Sequence, residues 1–178
     1  MIVPPSWEGE RNDLALEAAR LHPDRFAVMG RFPLEKPQSR PLVEGWRRQP
    51  GMLGMRFTFN TEQQRPWLTD GTADWLWPAA ERAGVPMMMS VSGQIPAVDR
   101  IAGRHPGLKL VVDHLGLRSG TKGEQAFVGL PELCGLARHR NIAVKASRTS
   151  AACTTRSVRG GCSGERTGPG FPAPGVRP

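Results

Sequence analysis

A few side chains in this sequence combine a reactive type with a position from which chemistry could use it. His114 stands in Val111-Val112-Asp113-His114-Leu115-Gly116, after an apolar run and before a glycine that lets the chain turn away. A neutral imidazole there can ligate a metal or carry a proton near neutral pH, and it can equally close a strand end through hydrogen bonds alone. Arg56 follows Gly54-Met55 and precedes Phe57-Thr58-Phe59-Asn60. Its guanidinium fork suits a carboxylate-bearing or lactone substrate, and an ion pair with a neighbouring acid is the competing role. Arg31 and Arg118 offer weaker versions of the same chemistry. Ser6, in Pro4-Pro5-Ser6-Trp7, can hydrogen-bond a substrate oxygen or simply shape a turn.

Other residues of these types read as structural. Strand alternation, counted from an inward His114, turns Asp113 outward as a structural acid. His22, His105 and His139 stand where helices end and read as charges at helix C-termini. Cys134, Cys153 and Cys162 form no C-x-x-C pair, so they read as reduced thiols. No G-x-S-x-G, P-loop or H-E-x-x-H occurs.

The elements that must position these candidates repeat along the chain. Short apolar runs fall at Met1–Val3, Arg25–Arg31, Met52–Phe59, Val85–Val91, Leu108–Asp113 and Ile142–Lys145, with helical periodicity at Asp13–Leu21, Thr72–Ala83 and Ile95–Arg104. That spacing suits strands joined by helical crossovers in a parallel sheet. Leu53-Gly54-Met55, Met87-Met88-Met89 and Leu110-Val111-Val112 are apolar on consecutive residues, the signature of strands buried on both faces. The junctions recur as well: Leu21-His22-Pro23, Arg104-His105-Pro106-Gly107 and Ala83-Gly84-Val85-Pro86 each stop a helix before a strand. No G-x-G-x-x-G follows the first strand, which disfavours a dinucleotide-binding sheet. The predicted fold is α/β, a partial (β/α)8 barrel. Its candidate chemistry sits at the C-terminal ends of the strands.

The net charge of +8 is unevenly placed. Residues 148–178 hold five arginines against Glu165 alone, and their few large apolar side chains are Val158, Phe171 and Val176. Such a segment cannot offset its ordering entropy, so the sequence divides into a barrel region at 1–147 and a disordered Arg/Gly/Pro-rich tail at 148–178. A basic arm that binds nucleic acid is the competing reading of the tail. The rest of the excess charge is dispersed, as on a solvated surface. No apolar stretch is long enough for a membrane span and the N-terminus lacks a secretion signal, so a cytoplasmic location is expected.

The succession Ile2-Val3-Pro4-Pro5-Ser6, Arg25-Phe26-Ala27-Val28-Met29-Gly30, Gly54-Met55-Arg56-Phe57, Ala83-Gly84-Val85-Pro86, His105-Pro106-Gly107-Leu108-Lys109 and Val111-Val112-Asp113-His114-Leu115-Gly116 resembles the amidohydrolase superfamily. The resemblance is to the amidohydrolase 2 branch of lactonases and decarboxylases, and it covers residues 1 to about 147. It implies a (β/α)8 TIM barrel whose second to seventh strands are those above. It further implies that His114 faces the reaction centre, as catalytic residue or metal ligand, and that Arg56 and Ser6 contact substrate. The activity implied is hydrolysis of a small carboxylated molecule, a lactone first of all, with decarboxylation or a non-catalytic truncated product as alternatives. The cofactor implied is a divalent metal such as zinc, or none. The family's first-strand His-x-His pair and eighth-strand aspartate have no counterpart here, so this chain alone is expected to be inactive and, with an unclosed sheet, to form homo-oligomers. Residues 148–178 have the composition of a shifted reading frame. Sequencing the locus tests this: another frame is expected to continue the strand and helix pattern beyond Ser147, and its failure to do so in every frame removes the idea.

Overall fold

The structure is a computed structural model that describes residues 1–117, 121 and 123–146. The predicted tail, together with Arg118, Cys153 and Cys162, lies outside these residues. Five parallel strands stand side by side in chain order: β1 (Val28–Arg31), β2 (Met52–Thr58), β3 (Met87–Ser90), β4 (Leu110–Val112) and β5 (Ile142–Val144). The main helices between and before them are α1 (Asp13–Leu21), α2 (Leu42–Gly45), α3 (Leu76–Ala83), α4 (Ile95–Arg104) and α5 (Leu130–Gly135).

Prolines explain most departures from the expected strand limits. The strand expected at Met1–Val3 reduces to one bridge, Ile2 to Val28, because Pro4 and Pro5 have no N–H to extend the ladder. Val85 precedes Pro86, and β3 starts only at Met87. Arg25 and Phe26 instead donate their amides to the His22 carbonyl, forming the turn that ends α1. Thr72 also lies outside α3: its amide caps the Asp70 carboxylate at 2.8 Å. Gly84 closes α3 in the left-handed conformation (φ 62°) that favours glycine.

The register sorts side chains by face. Arg31, Arg56, Met88, Val111 and Ala143 lie in one lateral row, so their side chains share a face of the sheet. The opposite parity in β2, Met55, Phe57 and then Phe59, packs toward the helices. Phe57 stacks on Phe59 with ring centroids 5.6 Å apart, Phe59 meets Trp77 of α3, and Phe32 meets Trp46. All four residues of β3 are buried, as its unbroken apolar run predicts.

Opposite the strand C-termini, two of the three predicted structural histidines are anchored to acids, while His22 packs edge-on against Phe26. His105 Nδ1 lies 3.1 Å from Glu81, which also accepts the Gly107 amide, and His139 Nε2 lies 2.8 Å from Asp99. Asn141 donates its side-chain amide to the carbonyls of His105 and Leu108, each at 2.9 Å, tying the entry of β5 to the end of α4. No described helix is long and apolar enough to cross a membrane.

Gly54 is the tightest point of the sheet. A Cβ there would sit 2.4 Å from the Pro86 carbonyl oxygen, and the Gly54 carbonyl accepts the buried Trp46 indole N–H at 2.9 Å. Gly54→Ala forces β2 and β3 apart and is expected to cost about 1–3 kcal/mol or more, read as a lowered midpoint in urea denaturation.

Candidate active site

The site begins from the face that carries Arg56. Its Nε and Nη2 donate to Asp113 Oδ2 at 3.2 and 2.8 Å, and its Nη1 donates to the Phe57 carbonyl and, at 3.0 Å, to Thr58 Oγ1. The two ion-paired side chains are only 6% and 2% exposed. Arg56 is on β2 and Asp113 follows β4, so the pair spans the intervening β3. Strands about 4.8 Å apart place that distance within an arginine's reach.

Asp113 is therefore inward, not the outward acid that alternation from His114 suggested. The parity must be counted from Val111, which shares the face of Arg56; Val112 turns to the helices and Asp113 turns back. β4 ends at Val112 and His114 already has left-handed backbone, so alternation cannot be counted from that residue. Lys145 Nζ lies 3.1 Å from Asp113 Oδ1, and the His114 backbone amide donates to the same oxygen at 3.2 Å. Burial alone would raise the Asp113 carboxyl, but Lys145, Arg56 and His114 outweigh it and hold it below its usual value. Arg56 is pulled down by burial against the opposing pull of Asp113.

His114 and Leu115 have φ of 54° and 56°, followed by Gly116 at 62°. Left-handed backbone costs roughly 1–2 kcal/mol per L-residue. It is held by hydrogen bonds from the Leu117 amide to the His114 carbonyl (3.1 Å) and from the Leu115 amide to the Lys145 carbonyl (3.2 Å). The turn brings the His114 imidazole back over the acid: Nε2 is 3.4 Å from Asp113 Oδ2, with the side chain 52% exposed. The imidazole thus lies beside a fixed carboxylate while half of it stays open to solvent.

At the C-terminal ends of β1 and β2 a cleft of about 260 Å³ is lined by Ser6, Arg31, Arg56, Thr58 and Gln64 among others. Ser6 reaches it from the 3-10 turn Ser6–Glu8. The structure thus brings Ser6 and Arg56 to one cleft and links His114 to Arg56 through Asp113, with His114 itself outside the cleft lining. Beside Arg56, Arg31 donates its Nε to the Pro4 carbonyl at 2.8 Å and its Nη1 to Thr58 Oγ1 at 3.0 Å. Burial and the neighbouring Arg56 both lower its pKa. Sequence reasoning missed Thr58 and Lys145. Thr58 was findable, since it lies two residues beyond Arg56 on the same face of β2. Lys145 stands at the predicted end of its strand, but no motif marks it.

A parallel sheet with its strands in chain order, covered by helices and carrying a polar cleft at the strand C-termini, is part of an α/β barrel. The sequence matches the amidohydrolase family, of the kind called amidohydrolase 2, across residues 2–177, and the chain belongs to that family. No curated protein matches it. Among solved structures it is similar to an amidohydrolase from Burkholderia multivorans with bound HEPES (TM-score 0.62, 23% identity, 77% of this chain and 50% of that one). A second crystal structure of an amidohydrolase from that organism contains bound zinc. It is also similar to a probable 2-pyrone-4,6-dicarboxylic acid hydrolase from Acinetobacter baumannii with citric acid bound (TM-score 0.61, 16% identity, 88% and 60% covered). A third likeness is to 5-carboxyvanillate decarboxylase from Sphingomonas paucimobilis (TM-score 0.56, 16% identity, 82% and 55% covered). At these identities the likeness is one of fold, and the chain spans about half the length of these structures.

The residues present do not make a metal site by themselves. Among the described residues no group of three or more His, Cys, Asp or Glu side chains could hold an ion. Both oxygens of Asp113, the acid beside His114, are already engaged by cations. A catalytic zinc normally takes about three protein ligands, so His114 is at most one of a set.

The ion pair can be tested directly. Asp113→Asn leaves Arg56 buried without its counter-charge and is expected to cost about 3–5 kcal/mol at neutral pH. The folded-state pKa of Asp113 is depressed, so the carboxylate's contribution is present above its unfolded pKa and lost as pH falls through the folded value. Denaturant titrations of parent and variant are therefore expected to start converging below about pH 4 and to meet only below the depressed folded value.

Proposed function

We propose that this chain carries the substrate-orienting part of an amidohydrolase site that hydrolyses the C–O bond of a small carboxylated lactone. The observation that carries this reading is the cleft at the strand C-termini, where Arg31 and Arg56 stand side by side on one face with the Ser6 hydroxyl. A carboxylate entering there meets fixed cationic donors in a partly dehydrated setting, where charge-assisted hydrogen bonds are strong. The ligand's carboxylate would set its orientation, and the His114 imidazole, beside Asp113 and outside the cleft lining, would be the group that transfers a proton. The likeness to a probable pyrone dicarboxylic acid hydrolase supports the lactone as substrate class. A divalent metal, as in the zinc-containing relative, would need ligands besides His114, and no step is assigned to it. The fold likeness to a carboxyvanillate decarboxylase makes decarboxylation of an aromatic acid the second reading.

The purified chain, mixed in turn with 2-pyrone-4,6-dicarboxylate and 5-carboxyvanillate, with zinc or manganese added, separates these readings. Binding and turnover are followed by NMR. The pyrone dicarboxylate is expected to bind, with ring opening no faster than in the His114→Ala variant. Ring opening above that control would overturn the expected inactivity of the chain. Binding of 5-carboxyvanillate alone would favour the decarboxylase, and binding of neither would remove the proposal.

A further inference from the structure

We infer that Arg31, together with the Thr58 hydroxyl, is the docking point for the ligand's carboxylate, and that Arg56 is a positioning residue held out of direct service by Asp113. The inference rests on the carboxylated-ligand reading above and reverses the order in which the sequence ranks the two arginines.

Counting donors separates them. A guanidinium has five N–H groups. In Arg56 four of the five are engaged, the Nε and one Nη2 hydrogen by Asp113 and the two Nη1 hydrogens by Phe57 and Thr58, and the side chain is almost fully buried. In Arg31 only Nε and one Nη1 hydrogen are engaged, by the Pro4 carbonyl and Thr58 Oγ1. Its Nη2 and the second Nη1 hydrogen have no partner among the described residues. That outer edge is the side of the fork that grips a carboxylate in bidentate fashion.

No described acid pairs with Arg31, although it is half-buried beside another cation. Of the two acids lining the cleft, Glu10 is tied to Lys36 at 2.7 Å and Glu35 is exposed. The single buried carboxylate nearby, Asp113, is spent on Arg56, Lys145 and His114. No described carboxylate therefore answers the charge of Arg31 at its own place in the cleft. Thr58 completes the arrangement. A hydroxyl has two lone pairs and one proton; Arg31 and Arg56 each donate to Thr58 Oγ1 at 3.0 Å, so both lone pairs are occupied. Its proton can only be donated, and it has no acceptor among the described residues. An anion in the cleft would meet the Arg31 fork and this hydroxyl as donors fixed in place before it arrives.

Isothermal titration calorimetry of the full chain with citrate and with 2-pyrone-4,6-dicarboxylate tests this. Arg31→Gln is expected to lose about tenfold in affinity for both probes, with a smaller fall in thermal midpoint than Arg56→Gln shows. Arg31→Lys, which keeps the charge and loses the fork, is expected to fall between. Arg56→Gln is expected to show the opposite balance, a lowered midpoint. Parent-like affinity for both probes in Arg31→Gln would overturn the inference and leave the functional proposal standing. Citrate binding that depends on Arg31, without any binding of the pyrone, would uphold the anion site and remove the lactone reading. Failure of the parent to bind either probe removes both.

Discussion

A charge placed inside a sheet must be matched there, and that constraint organises this molecule. Arg56 and Asp113 are almost inaccessible to water, and their pairing reaches over the whole width of β3. Such a pair is weak evidence of net stabilisation, because desolvating two ions offsets most of their attraction, yet removing either partner strands the other. Its effect is positional. It locks the end of β2 to the end of β4, supplies the carboxylate on which the His114 imidazole and Lys145 ammonium settle, and turns the Nε–Nη2 edge of the arginine away from a ligand.

The loops at the mouth are held by smaller versions of the same rule. Asn60 donates to Ser90 Oγ and accepts the Ser92 amide, and Gln94 donates to the Phe59 carbonyl. These bonds join the exit of β2 to the exit of β3, so the two loops hold each other in place beside the cleft. Amidohydrolase family membership gives the architecture its context; the cleft between these loops and the Pro4-Pro5-Ser6 turn gives it a chemical character.

Much of the architecture was legible in the sequence, since it follows from local rules. Unbroken apolar runs marked Met87–Met89 as a strand buried on both faces, and the His-Pro and Gly-Val-Pro junctions marked where helices stop. What misled was counting through places where the rules cease to apply. Prolines shortened the strands expected at Met1–Val3 and Val85–Val91, since each removes a ladder donor. Asp113 was assigned to the wrong face because the count began at His114, which is already outside the strand. Arg56 and His114 were visible as candidates, but their relation to each other was not. It depends on a lateral register across three strands, with no trace in spacing along the chain. The same is true of Lys145, whose part becomes visible only when β5 is laid beside β4.

The left-handed turn at His114–Gly116 has a consequence for how this protein can vary over generations. Three consecutive residues with positive φ leave little room for drift: glycine, asparagine and aspartate enter that conformation cheaply, while valine, isoleucine and threonine do not. Gly116 is further confined, since a Cβ there would meet Ile95 at 2.7 Å. Descendants of this chain therefore inherit a narrow alphabet at 115 and a nearly fixed letter at 116, whatever ligand they come to serve. Specificity is freer to change at the cleft side chains than at the turn that presents the histidine.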